Sequence, residues 1–242
     1  MPGAAVSPRI PIVAIDGPAG AGKSTVARQL ARRLGFTMVD TGAIYRAVAL
    51  DARRAGVDWE DDAGLRGLLE GGFSLQFLPP PPDAPSEAQR VLLRGHDVSQ
   101  AIRTPEISRG ASQVSARAVV RDRLLELQRS LGRGAVRGAV LEGRDIGTVV
   151  FPDAEVKFFL TAGDEARARR RHAELIDKGL AITFAEVLAD QRRRDRDDSE
   201  RVLAPLKAAS DAIQVDTTGM ELEQVIERCL ELAKVRLDAA LR

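Results

Sequence analysis

The stretch Ile10-Pro11-Ile12-Val13-Ala14-Ile15-Asp16-Gly17-Pro18-Ala19-Gly20-Ala21-Gly22-Lys23-Ser24-Thr25 decides how the rest of the chain is read. Its apolar, β-branched start reads as a buried strand, glycines at 17, 20 and 22 interrupt it, and a helical pattern begins at Lys23. From Gly17 to Ser24 it satisfies G-x-x-x-x-G-K-[ST], in which small residues let successive backbone N–H groups face an anion while the following helix presents its positive end. Such a loop cradles a triphosphate: Lys23 is placed to reach the β and γ phosphates, and the Ser24 hydroxyl to hold Mg²⁺. The bare pattern arises by accident in roughly one chain of this length in a hundred, so the weight falls on its context. Strand, loop and helix come in the required order, and Val26, Leu30 and Leu34 continue the helix as its inner stripe.

A chain of 242 residues, 44% hydrophobic and 29% charged, is long enough for one sizeable α/β domain with insertions and too apolar to be disordered. No run approaches the length of a membrane span, and Met1 to Pro11 lacks the basic start and apolar centre of a secretory signal, so cytoplasm is the expected location. One cysteine excludes an intramolecular disulfide; Cys229 falls on a stripe with Leu222, Val225, Ile226, Leu230 and Ala233 and reads as core packing. Only His96, His172 and Cys229 are available as soft ligands, and they are scattered, which argues against zinc and leaves Mg²⁺ brought with a nucleotide as the expected metal. A net charge of +1 offers no global field for nucleic acid, and one Trp and one Tyr supply little for base stacking. Positive charge is local instead, at Arg167 to Arg171 and again at Arg192 to Arg201, where Asp195, Asp197 and Asp198 interleave.

After the first helix, Phe36 to Val39 reads as a second buried strand leading into Asp40-Thr41-Gly42-Ala43-Ile44-Tyr45-Arg46, with Thr41 as helix cap and Ile44, Val48 and Ala52 as the helix's inner spacing. Tyr45 and Arg46 then start a helix beyond a strand's carboxyl end, the edge where open α/β sheets bind ligands. A helix over about 60–70 ends at Gly71-Gly72. Phe73 to Leu78 alternates with period two, prolines from Pro79 to Pro85 form a stiff connection, and Arg90 to Leu93 resumes strand character, together a small antiparallel insert. A helix is expected over Glu106 to Leu131, carrying Ser112, Gln113, Arg117 and Arg121, before a third strand at Ala139 to Leu141 that runs into Glu142-Gly143-Arg144-Asp145-Ile146-Gly147-Thr148. A buried run ending in an acid is how a Mg²⁺-organising carboxylate is presented opposite a phosphate loop. A fourth strand at Val156 to Leu160, helices at about 164–176 and 184–196, a strand at Ile213 to Asp216 and a last helix at about 220–240 complete the pattern. Strands alternating with helices predict an α/β fold, a P-loop NTPase-type parallel sheet wrapped by helices on both faces, with the β insert and a helical lid added.

The run Gly17 to Lys23, the run Asp40 to Arg46, Glu142 through Val149-Val150-Phe151-Pro152, and Arg194-Asp195-Arg196-Asp197-Asp198-Ser199-Glu200-Arg201 through Ala204-Pro205-Leu206 together resemble the bacterial cytidylate kinases. The first motif is shared by all P-loop kinases; the other three in this order look like that family alone, and the likeness extends from about Ile10 to Ala233. The resemblance implies transfer of the γ-phosphoryl of Mg·ATP to CMP or dCMP, a step of pyrimidine nucleotide metabolism, by a monomer that needs no nucleic acid or membrane. It implies one domain over 10–239: a core at about 10–62, 108–163 and 199–239, a monophosphate-binding insert at 63–107, and a lid at 164–198. Gly17, Pro18, Ala19, Gly20, Ala21, Gly22, Lys23, Ser24 and Thr25 would hold ATP, with Ser24 on Mg²⁺ and Glu142 acting through water. Ser112, Arg121 and Asp145 look like the cytosine readers, Arg46, Arg144 and Arg201 like the holders of the acceptor phosphate. Arg194 and Asp198 are similar to the family's sugar and phosphate contacts, with Thr41 and Tyr45 lining the same pocket. Lys23, Arg144, Arg194 and Arg201 would carry the catalysis. Glu142 departs from the Asp expected of many relatives, being one methylene longer, so direct metal ligation is not assigned to it.

The residue types make chemical sense of these roles. Cytosine offers an amino donor beside two acceptors, whereas uracil offers O4 and N3–H, so a carboxylate beside an arginine fork distinguishes them. The acceptor is an ionised phosphate oxygen that needs no general base; the problem is bringing two anions together in line, which suits permanently charged, bidentate arginines. Closure of the lid would bring one or more of Arg167, Arg169, Arg170 and Arg171 onto the transferring group. An adenylate- or shikimate-type kinase is the nearest alternative, and the set Asp145, Arg121 and Ser112 argues for cytosine over it. A GTPase-like switch lacks an Asn-Lys-x-Asp guanine reader here, and nucleic-acid binding through Arg192 to Arg201 is opposed by the interleaved aspartates.

Overall fold

The computed structural model describes residues 10–79, 89–177 and 179–240. The expected proline connection falls outside these residues apart from Pro79, as does Lys178. In chain order the elements are β1 (Ile12–Asp16), α1 (Lys23–Leu34), β2 (Thr37–Asp40), α2 (Thr41–Ala55), α3 (Asp62–Glu70), β3 (Leu75–Leu78), β4 (Arg90–Leu93) and β5 (His96–Asp97). A short turn at Ala101–Arg103 leads to α4 (Pro105–Ser115), α5 (Ala118–Arg133), β6 (Ala139–Glu142), one wide helical turn at Ile146–Val150, β7 (Val156–Thr161), α6 (Asp164–Asp177), α7 (Phe184–Glu200), β8 (Ile213–Asp216) and α8 (Leu222–Ala240).

Among the described residues, five strands form a parallel sheet in the order β2-β6-β1-β7-β8, and three form an antiparallel sheet in the order β3-β4-β5. Every residue of β1 is buried, as a strand covered on both faces requires. On one face Val13, Ile15 and Phe158 pack against Val26 and Leu30 of α1 and against Ile226, Cys229 and Ala233 of α8. On the other, Ile12, Ala14 and Leu141 meet Ile146, Val150, Phe151 and the Leu125 and Leu131 side of α5. Cys229 is thus core, and burial pushes its thiol up to about 11. No helix among the described residues is long and apolar enough to cross a membrane.

The chain runs from β1 out to β2, returns to β6 beside β1, and crosses to β7 on the far side of β1. Where crossovers part in this way a crevice opens beyond the carboxyl ends of the strands. Those ends carry Asp16, Asp40 and Glu142, and Asp40 pairs in register with Glu142. The small sheet sets Leu75 opposite Leu93 and Phe77 opposite Val91, and its buried Val91 and Leu93 pack with α2, α3, α4 and α5 in a core of their own.

Two local expectations are corrected. The cap of α2 is Asp40, whose carboxylate accepts the Ala43 N–H at 2.9 Å; Thr41 is already helical and turns its hydroxyl to the Glu142 carbonyl at 2.7 Å. The helix expected over 106–131 is two helices, broken at Ala116 and Arg117, where the Arg117 backbone is extended. At this break the Arg117 side chain makes a fork of two 2.8 Å bonds to Asp62 at the start of α3. Beyond Arg196, α7 continues to Glu200, which places Arg194 and Asp198 one turn apart on the same helix.

Candidate active site

At the end of β1 the backbone must turn under the neighbouring strand. A side chain at Gly17, where φ is +144°, would lie 2.0 Å from the Leu160 carbonyl oxygen, so only glycine fits. Gly22, also left-handed at φ +89°, starts α1 without a side-chain cap, which leaves the first N–H groups of the helix facing the loop. Lys23 is buried and donates from Nζ to the Pro18 carbonyl at 2.7 Å, folding the loop around its own ammonium. Burial and then the Arg144 charge push the Lys23 ammonium well below its usual range.

Ser24 donates from Oγ to Glu142 Oε2 at 2.8 Å, joining α1 to the end of β6. The other carboxylate oxygen of Glu142, Oε1, is buried with no hydrogen-bond partner among the described residues. Burial and the nearby Asp40 hold the Glu142 carboxyl above its usual range. A hydroxyl beside an under-satisfied carboxylate is a hard-oxygen pair whose chemistry suits Mg²⁺.

A cleft of about 660 Å³ runs from this loop to the helices opposite. Its walls include Ala19 to Val26, Asp40, Arg46, Glu142, Arg144 and Arg194, together with Arg28 and Arg103. Arg46 bonds Asp40 at 2.8 Å, and Arg144 bonds Asp198 through Nε at 2.9 Å. Asp198 also faces Arg201 at 3.9 Å, so one carboxylate links the two arginines, and Arg201 is fixed further by a 2.6 Å bond to the Ala204 carbonyl. Several buried guanidinium nitrogens have no acceptor among the described residues: Nε of Arg28, Arg46 and Arg194, and Nη2 of Arg201. Such donors depart from the usual rule that buried polar atoms are paired, and their chemistry suits an anionic ligand. Burial, and after it the Arg144 charge, lowers the proton affinity of Arg194, and burial does the same to Arg201.

Beside the cleft, Arg121 and Asp145 form a close ion pair with both side chains nearly inaccessible. Arg121 also donates to the Ser115 carbonyl at 3.2 Å and lies 5.9 Å from the centre of the Tyr45 ring. The Tyr45 hydroxyl lies 3.5 Å from the Gln128 amide, and burial raises its affinity for its proton. Ser112 stands one turn before these contacts, its carbonyl accepting the Ser115 hydroxyl at 2.8 Å. The serine that meets both Arg121 and Arg201 is therefore Ser115, whose Oγ lies 3.5 Å from Arg201 Nη1.

The four arginines considered for the lid separate by surroundings. Arg167 is buried and fully engaged, bonding Asp164 and Asp195 at 2.6 Å and the Ala19 carbonyl of the loop at 3.1 Å. Arg169 is exposed and pairs with Glu165 along its own helix at 3.1 Å. Arg170 reaches the Thr217 carbonyl at 2.7 Å, Arg171 pairs with Glu174 at 2.7 Å, and both line the cleft.

Sequence reasoning passed over Arg28, Arg103 and Ser115. Arg28 had an available signal, since it lies one helical turn beyond Ser24 on the face that carries the loop's functional groups. Arg103 had none, because the fold alone brings its short turn to Arg46 and Asp40.

The family model described as Cytidylate kinase matches residues 13–235. The cytidylate kinase of Geobacter sp. (strain M21) is 53% identical over 93% of this chain and 94% of its own length. That of Geobacter sulfurreducens is 50% identical over 93% of each. Among solved structures, an uncharacterized protein from Eubacterium ventriosum superposes with a TM-score of 0.51 at 12% identity, covering 93% of this chain and 98% of that one, a likeness of fold.

Proposed function

The chain belongs to the cytidylate kinase family, and from that premise we propose that it phosphorylates CMP and dCMP with Mg·ATP in the cleft between Lys23 and the arginines opposite. One observation carries the reading: Lys23, Ser24, Arg46, Arg144 and Arg194 line a single cavity, with the Arg121 and Asp145 pair beside it and Asp198 joining Arg144 to Arg201.

In this reading the Gly17 to Thr25 loop takes the ATP phosphates on its backbone N–H groups. Lys23, released from the Pro18 carbonyl, follows the transferring phosphoryl. A bound Mg²⁺ would offset charge on the phosphates beside Ser24 and Glu142. Arg46, Arg144 and Arg201 hold the acceptor phosphate against the donor, and no residue is needed to remove a proton from an already ionised oxygen. Arg194 shares charge with the phosphates, and Asp198 orients Arg144 and Arg201 while facing the sugar. Asp145 accepts from the cytosine amino group, Arg121 donates to the ring acceptors, and Ser112, Thr41 and Tyr45 shape the pocket. Uracil would set a carbonyl against the Asp145 carboxylate, an unpaired contact in a buried site. Residues 63–107 act as the monophosphate-side insert and 164–198 as the lid, whose closure brings Arg170 and Arg171 inward and excludes water. The enzyme is taken as a cytoplasmic monomer acting on small molecules.

A coupled assay of ADP release against CMP, dCMP, UMP, AMP and shikimate tests the reading. Turnover with CMP and dCMP, well above that with UMP, is expected; faster turnover with AMP or shikimate overturns it.

A further inference from the structure

Asp16 is the last residue of β1, immediately before Gly17, and is 4% exposed. Its Oδ1 accepts the N–H of Ile146 at 2.8 Å and its Oδ2 the N–H of Gly147 at 2.7 Å. Those amides open the wide turn at Ile146–Val150, the first donors of a helical turn that have no partner within it. Asp145 occupies the position from which an aspartate ordinarily caps such a turn, yet its side chain makes no capping bond and goes to Arg121 instead.

We propose that Asp16 is a positioning residue: by capping this turn from across the sheet, it frees the Asp145 carboxylate for the acceptor base and fixes Arg144 and Asp145 relative to the donor loop. The proposal rests on the reading of the site given above. The packing leaves the turn little latitude, since a side chain at Gly147 would lie 3.2 Å from Lys157 Cδ and 3.4 Å from Asp16 Oδ2. Among the described residues the charged groups facing Asp16 are Asp145 from the turn, Lys23 from α1 and the Lys157 stem from β7, whose ammonium is turned away to Asp211.

Burial raises the Asp16 carboxyl from 3.8 to about 6, against the opposing pull of its two N–H donors. Between those values the folded chain holds a proton that the unfolded chain has lost, so the stability contribution of Asp16 falls as pH rises from 3.8 to about 6 and is level above it. An ionised carboxylate is therefore kept here at a cost to folding, as a group retained for positioning would be. Protonation below about 6 removes acceptor capacity from one oxygen and loosens the cap.

The test is read first on the ligand-free wild type, because a nucleoside monophosphate has its own ionisation near pH ~6. The amide proton shifts of Ile146 and Gly147 are followed by NMR between about pH 7.5 and about pH 5. Both are expected to move together with a midpoint near 6, and to lose that titration in Asp16→Asn. In the same variant the KM for CMP is expected to rise about tenfold while that for ATP changes by less than about twofold, the loss of roughly one hydrogen bond's worth of positioning. Amides that do not titrate in the wild type, or KM values that rise equally for both substrates, overturn the proposal. Should the wild type not phosphorylate CMP, the functional reading fails, and the amide titration still decides whether Asp16 holds the turn.

Discussion

In the function proposed above, the donor side of the cleft is one unbroken run, Gly17 to Thr25, that would work mainly through backbone N–H groups aimed by the turn itself. The acceptor side draws Arg46 from α2, Arg121 from α5, Arg144 and Asp145 from the segment after β6, and Arg194 and Asp198 from α7, with Arg201 just beyond it. There the aim is set by side chains holding one another: Arg46 on Asp40, Arg121 on Asp145, Arg144 on Asp198. A backbone cradle is general, since every nucleoside triphosphate offers it the same tail. A ring of ion pairs is particular, because each carboxylate that orients an arginine also fixes which groups remain free for a ligand. Loss of a donor-side group should therefore reduce the rate with every acceptor, whereas loss of an acceptor-side group should fall on the acceptor alone, in its kcat/KM or in which base is preferred.

The hardest test of this contrast is Lys23→Ala. It removes the only side-chain cation within the loop run and is expected to lower kcat about a thousandfold or more, with unchanged far-ultraviolet circular dichroism. Near-normal turnover would show that the loop is not the donor site. Arg144→Lys tests the other side, keeping the charge but losing the fork. Because Arg144 must hold Asp198 and an incoming phosphate together, kcat/KM for CMP is expected to fall on the order of a hundredfold while the KM for ATP is maintained. A parallel loss in both substrates would erase the distinction between the halves.

The same contrast explains what could be read from the chain before folding. The loop proposed as donor site was legible in its structure because it is built from consecutive residues: a strand pattern, glycines at the positions of positive φ, and a helix after them. The three central strands of the parallel sheet, β1, β6 and β7, were legible as apolar runs, and Cys229 as core from its helical spacing, whereas β2, expected to be buried, is an edge strand in which Val39 alone is fully buried. The break at Arg117 was not legible, since the apolar spacing runs on through it and the partner that Arg117 takes there, Asp62, is far away in sequence. Nor was the shift of the α2 cap from Thr41 to Asp40, because either residue satisfies the local capping rule and only the Glu142 carbonyl claims the threonine hydroxyl. Arg103 and Ser115 carry no local signature at all: the fold brings Arg103 to Arg46 and Asp40, and Ser115 to Arg121 of α5 and Arg201 beyond α7.

Two smaller changes sharpen the comparison within the acceptor side. Asp145→Asn replaces an acceptor-only group by one that can also donate, so the preference for CMP over UMP in kcat/KM should fall about tenfold while ATP binding is unaffected. Equal losses for the two pyrimidines would remove Asp145 from base reading. Ser115→Ala should have the smallest effect. The Ser115 hydroxyl donates to the Ser112 carbonyl at 2.8 Å and lies at the outer limit of bonding, 3.5 Å, from Arg201, while the contact to Arg121 is through its backbone and survives the substitution. Only the weaker of the two arginine contacts is lost, so the KM for CMP should rise about two- to threefold with kcat and the KM for ATP unchanged. If the rise instead matched that of Asp145→Asn and reduced selection against UMP as well, the hydroxyl would be reading the base, and the boundary of the cytosine pocket would move one turn along α4 from Ser112 to Ser115.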